Sequence, residues 1–77
     1  YNNRGFSYAT LGQYQRAIED YSEAIRLKPD YAEAYMNRGV AYLMQGNNTL
    51  GCPDAQKACA LGNCITLKSA QRIGLCR

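Results

Sequence analysis

Cys52, Cys59, Cys64 and Cys76 are the residues in this 77-residue chain best suited to chemistry, and all four lie in its last 26 residues. Thiols crowded like this can hold a metal, pair as disulfides, exchange electrons, or sit inert in a core. Structural zinc sites bring cysteines in close C-x2–4-C pairs, and here only Cys59 and Cys64 come near that spacing. There is no C-x-x-C pair and no histidine, which removes the usual redox motif and haem attachment. The even number and local crowding therefore read as a disulfide framework. A four-thiolate zinc site and four free buried thiols are the alternatives. No other catalytic set is visible. Ser7, Ser22 and Ser69 lack a base of the usual kind. Glu19, Asp20 and Glu23 crowd a helix face that reads as solvated, where carboxylates make poor general acids. There is no G-x-x-x-x-G-K-[ST] or G-x-G-x-x-G phosphate loop. Neither an enzyme nor a cofactor is expected. Asn47-Asn48-Thr49 fits a glycosylation acceptor, a triplet common by chance.

The elements that carry these residues read as helices. In Ala17–Asp30, the positions Ala17, Ile18, Tyr21, Ala24 and Ile25 make one apolar stripe. Arg16, Glu19, Asp20, Ser22, Glu23 and Arg26 make the solvated face. Pro29 stops this helix, predicted over 15–28, because it cannot donate the next hydrogen bond. Tyr1–Leu11 reads as a helix before it, closed by Gly12. Asp30 with Glu33 reads as a capping box opening a third helix that runs to about Gln45 and is closed by Gly46. Gly51 and Pro53 should prevent helix after Asn48. They leave a short fourth helix over about 53–61, with Pro53 in its first turn. A fifth helix is predicted over about 65–73, closed by Gly74.

Two short helices joined by a tight turn run antiparallel, so the start of one lies beside the end of the other. That geometry puts Cys52 near Cys76, and Cys59 near Cys64 across the turn. Cys52–Cys59 would have to span about 10 Å of helix, out of disulfide reach. Cys64–Cys76 meets the same objection, and the remaining pairing joins distant ends. The expected disulfides are Cys52–Cys76 and Cys59–Cys64.

Shifting the sequence by 34 residues matches Tyr1 with Tyr35, Asn3 with Asn37, Arg4 with Arg38 and Gly5 with Gly39. The frame continues through Tyr8 and Tyr42, Gly12 and Gly46, Asp20 and Asp54, Ala24 and Ala58, and Leu27 and Leu61. In this period and in the placement of Gly5, Tyr8, Gly12, Tyr14, Ala17, Tyr21, Ala24 and Pro29, the chain resembles the tetratricopeptide repeat (TPR) family, whose unit is a 34-residue helix–turn–helix. Tyr35, Gly39, Ala41, Tyr42 and Gly46 continue the pattern. The resemblance implies an all-α stack of tandem antiparallel helix–turn–helix units, about five helices in a right-handed superhelical segment. It makes one domain over 1–77: repeat one over 1–31, repeat two over 32–63 with a shortened second helix, and a capping helix over 64–77.

The resemblance also implies a function. The first helix of each TPR unit lines a concave groove for an extended peptide or a partner helix. Its lining here would be Asn2, Phe6, Thr10, Met36, Asn37, Val40 and Leu43. The alternative is that the fifth helix folds over Met36 and Val40 and makes them core. Some TPR domains recognise a C-terminal carboxylate through Lys, Arg and Asn. This chain has Asn2 and Phe6 where that clamp would want Lys and Asn, so that specificity is not expected. Asn37 and Arg38 are candidate polar contacts, although Arg4 and Arg38 recur in register and fit interhelical pairs equally well. The expected function is a non-catalytic protein-interaction module. The alternatives are a disulfide-stapled end-cap of a longer repeat array, and a thiolate metal-binding protein.

Composition narrows the partners. The net charge is +3, gathered after Asn48 in Lys57, Lys68, Arg72 and Arg77 against Asp54 alone. All seven tyrosines precede residue 43, away from those charges. Nucleic-acid binding, which wants both together, is not expected. No apolar run approaches the roughly 20 residues of a membrane span. The chain starts at Tyr1 without Met, which reads as a fragment or a processed product, and a fragment leaves room for further repeats upstream of Tyr1. Disulfide-bonded cysteines would place the protein outside the cytoplasm, in a periplasmic or secreted setting.

Overall fold

The computed structural model describes residues 2–76, Asn2 through its backbone only. The described residues form five helices: α1 (Asn2–Thr10), α2 (Tyr14–Leu27), α3 (Ala32–Met44), α4 (Asn48–Ala60) and α5 (Ile65–Arg72). Each packs against its neighbours in sequence, which makes an antiparallel helical stack. The sequence turns where glycine permits it. At Gly12 (φ 78°) and Gly46 (φ 79°) the chain enters the left-handed region, and both turns close with the same bonds. Gln13 N–H donates to the Tyr8 carbonyl and Asn47 N–H to the Tyr42 carbonyl, each at 2.9 Å. These satisfy carbonyls that the helix end would otherwise leave open.

The core lies on α2. Ala17, Ile18 and Tyr21 are buried with Ala41 of α3, and Tyr8, Ala9, Tyr14 and Tyr42 pack around them. Tyr21 is the one large side chain, among the described residues, that is fully enclosed. The small residues Ala17, Ala24, Ala34 and Ala41 let the helices approach closely.

Three expectations fail, each for a reason visible in the packing. First, α4 is not shortened: it begins at Asn48 rather than at 53, one residue short of the length of α2. Asn47 caps it, its side chain accepting a bond from Leu50 N–H at 3.2 Å. Gly51 does not break this helix, because it is where α3 comes closest. A Cβ there would lie 2.8 Å from Leu43 Cγ and 3.0 Å from the Gly39 carbonyl oxygen. Pro53 sits inside the helix with Thr49 one turn before it, both exposed. Water can therefore serve the Thr49 carbonyl that a proline cannot bond. Propensity argued against helix here by about 1 kcal/mol for glycine and 3 for proline. Burial of Gly51, Asp54, Ala55 and Ala58 against the rest of the stack outweighs it.

Second, Asp30 and Glu33 form no capping box. Tyr31 is the N-cap of α3 and makes no side-chain cap bond, so Asp30 stands one residue too early. Third, Asp20 is not on a solvated face. It is buried, only 6% exposed, and Arg4 of α1 reaches over to it.

Candidate functional site

Two arginine–aspartate pairs fix how the first helix of each unit lies on the second. Arg4 donates from Nε and Nη2 to both carboxylate oxygens of Asp20, at 2.8 and 2.7 Å. One repeat later, Arg38 donates to both oxygens of Asp54 at 2.7 and 2.9 Å. Two parallel bonds from a planar guanidinium set orientation as well as distance. Arg38 is the more enclosed: it also donates to Ser22 Oγ of α2 at 3.1 Å, and its guanidinium carbon lies 5.6 Å from the centre of the Tyr35 ring. The bond to Asp54 holds Arg38 above its usual pKa. The Arg4 hydrogen bond, helped by its charge, holds Asp20 below the usual carboxylate range despite burial. Arg38 is thus engaged within the fold through Asp54, Ser22 and Tyr35.

The four cysteines staple α5 to α4. Cys52 is bonded to Cys76, with Cα atoms 5.7 Å apart. Cys59 is bonded to Cys64, with Cα atoms 4.0 Å apart. Cys64 is the N-cap of α5, and Cys76 follows its C-terminal turn, so the helix is held at both ends. α5 is eight residues long and buries only Thr66 and Ala70, so few packing contacts besides the two bonds hold it. A helix that short has little stability of its own. All four sulfurs are committed to each other, and the described residues hold no cluster of three or more metal-binding side chains.

The residues expected to line a groove are not equally placed for it. Phe6 (61% exposed) and Val40 (41%) present apolar surface to solvent. Thr10 is exposed, its hydroxyl donating to the Phe6 carbonyl at 2.9 Å. Met36 and Asn37 are half-buried, and Asn37 has an interaction of its own. Leu43 is shared, its Cγ packed on Gly51 while it also lines a cleft. Asn2 lies outside the described side chains. The fifth helix does not close over Val40. It stands beside it, and between α3 and α5 lies an apolar cleft of about 270 Å³. Val40, Leu43 and Met44 form one wall, and Ile65, Ile73 and Leu75 the other. The second wall is not legible in the residues alone. Ile65, Ser69 and Ile73 stand four apart, which is one helix face, but nothing local says what that face looks at. Two wider hollows, one over Gly12–Arg16 and one beside Asn48 and Gln56, gather no reactive set of side chains.

A family model described as TPR repeat matches residues 5–46, more than half of the chain. The chain belongs to the tetratricopeptide repeat family. It is 33% identical over 61 residues to the Hsp70-Hsp90 organizing protein of Triticum aestivum, covering 79% of this chain and 10% of that protein. It is 45% identical over 40 residues to human tetratricopeptide repeat protein 6, covering 52% of this chain and 8% of the relative. To human tetratricopeptide repeat protein 28 it is 35% identical over 71 residues, covering 92% of this chain and 3% of the relative. The chain spans a tenth or less of the length of each of these relatives. α1/α2 and α3/α4 are two helical hairpins offset by 34 residues, and α5 follows them as a fifth helix. No helix among the described residues is long and apolar enough to cross a membrane.

Proposed function

We propose that this TPR chain is a non-catalytic protein-interaction module that holds an extended peptide or a partner helix on the face shared by α1, α3 and α5. The observation that carries the reading is the set of exposed apolar side chains lining the cleft between α3 and α5, Val40, Met44, Ile65 and Ile73, with Phe6 of α1, the counterpart of Val40 in the 34-residue frame, also exposed. Contiguous exposed apolar surface on a small domain marks a binding face. The relatives support a protein as partner, since one is named for organizing Hsp70 and Hsp90. The test is selection of a phage-displayed 12-residue peptide library on the oxidised protein. Val40→Glu combined with Phe6→Glu should abolish capture of the enriched peptides while the helical circular dichroism stays unchanged. Capture that survives both changes overturns the reading.

A second reading, an end-cap of a longer array, is favoured by Ile73. It stands in the 34-residue frame at the position of Gly5 and Gly39, whose bareness admits the following helix. A branched side chain there obstructs a further helix in the same geometry. Replacing Ile73 by Gly and appending a consensus second helix should then extend the stack. An unchanged melting temperature of that fusion counts against the cap.

A further inference from the structure

The whole formal charge of the chain belongs to its cap. Up to Pro53, five basic residues (Arg4, Arg16, Arg26, Lys28, Arg38) stand against five acidic ones (Glu19, Asp20, Glu23, Asp30, Glu33), for a net of zero. From Asp54 onward, four basic residues stand against one acidic residue, which gives the +3. That one acid, Asp54, is buried and held by Arg38, so it offsets nothing at the surface of α5. Lys68 and Arg72, one turn apart on α5, are exposed and make no ion pair among the described residues. At 100° per residue they fall on the flank of α5 next to the Ile65, Ser69 and Ile73 stripe that lines the cleft. The cleft is therefore apolar inside and basic along its outer edge.

We infer that the α3–α5 cleft takes an acidic amphipathic segment of a partner protein, with large apolar side chains seated between Val40 and Ile73 and carboxylates meeting Lys68 and Arg72. The inference rests on the proposed interaction function and adds the chemistry of the partner. The apolar floor supplies burial, and the unpaired cations on the edge select acidic over basic segments and speed encounter. A basic amphipathic helix, equally able to fill the floor, is repelled at the edge. No terminal carboxylate is needed, because side-chain carboxylates along the segment reach the same cations.

The experiment uses the oxidised chain and the same 12-residue peptide library, with every displayed peptide blocked at its C-terminus by the coat protein. Enriched sequences should combine Leu, Ile, Phe or Met with several Asp or Glu. Synthetic amidated peptides from that pool should weaken about tenfold or more on Lys68→Glu with Arg72→Glu. They should also weaken as sodium chloride rises from about 50 to 300 mM. A pool without acidic enrichment, lost on Val40→Glu but indifferent to the charge reversals, overturns the acidic partner and leaves the groove standing. A pool indifferent to Val40→Glu overturns the groove itself, and with it the inference. Binding of a fluorescent oligothymidine through Lys68 and Arg72, with no peptide enriched, assigns the basic edge to nucleic acid and overturns it as well.

Discussion

The two helical hairpins of this TPR chain fill the same frame by opposite means. In α1/α2 the interface is a ring: Tyr21 is enclosed, and Gly5 is bare because a Cβ there would stand 2.7 Å from Tyr21 Cε1. In α3/α4 the equivalent of Tyr21 is Ala55, and the space is taken up by backbone. A Cβ on Gly39 would stand 3.1 Å from the Gly51 oxygen and 3.2 Å from the Ala55 nitrogen. The frame specifies a bare position opposite a packed one. It leaves open whether the packing is aromatic or main-chain. The second hairpin, which has no large buried side chain among the described residues, has the more enclosed arginine–aspartate pair, and its α4 is tied onward to α5 by both disulfides. Both hairpins have an arginine–aspartate pair, and what separates them is the buried ring in the first and the close main-chain approach in the second.

The largest break should come at the ring. Tyr21→Ala is expected to cost about 3–5 kcal/mol and to unfold the chain at ordinary temperature, as followed by urea denaturation at 222 nm. A small effect would mean that α1/α2 does not depend on its ring. Next come the staples. Closing the loop from Cys52 to Cys76, a separation of 24 residues, should contribute about 3–4 kcal/mol, and the separation of 5 between Cys59 and Cys64 about 2. Paired serine replacements, melted without reductant, should rank in that order. Equal losses would show that loop entropy is not what the staples supply. Reduction of both by a dithiol should free α5 and dissolve the cleft, seen as loss of peptide capture with most helical signal retained.

The glycines sharpen the contrast at smaller scale. Gly39→Ala should destabilise by about 1–2 kcal/mol even though alanine favours helix by about 1, because the neighbours that must move are backbone. Gly5→Ala should be costly alone, yet markedly less costly in the Tyr21→Ala background, a coupling of at least about 0.5 kcal/mol. Additive effects would separate Gly5 from the ring.

The smallest effect is ionic and depends on pH. Asp20 titrates below its ordinary value of about 3.9 in the folded chain, so its pairing stabilises above that pH. The contribution is lost as pH falls through the folded value. Because Arg4 is 60% exposed, solvent screens the pair and about 0.5–1 kcal/mol is expected. The gap in stability between the native chain and Asp20→Asn should be constant from pH 7 to 5 and close below pH 4. A gap that widened with acid would refute the assignment.

The repeat was legible because its signals are local. Glycines at Gly12 and Gly46 and the apolar stripe of α2 act within a few residues, so type and order of the helices follow from sequence. The cysteines pair as an antiparallel α4/α5 hairpin predicts, although α4 is longer than its glycine and proline suggest. Antiparallel direction, which both versions of α4 share, is enough to bring Cys52 to Cys76 and Cys59 to Cys64. The burial of Asp20 was half legible: Asp20 with Asp54 and Arg4 with Arg38 recur in one frame, a pattern of partners that periodicity of charge alone reads as surface. Gly51 and Pro53 misled because their penalties are local, while the packing that outweighs them comes from α3.

By itself the sequence determined the helical period, the turns and the two staples, since the first two are written in recurring residue types and the staples follow from the antiparallel run of consecutive helices. Only the tertiary structure decided that α4 is full length, that Arg38 is enclosed by Asp54, Ser22 and Tyr35, and that Val40 looks across a cleft at Ile73. Those outcomes depend on which surface lies opposite, and a residue's own neighbours in sequence hold no record of that.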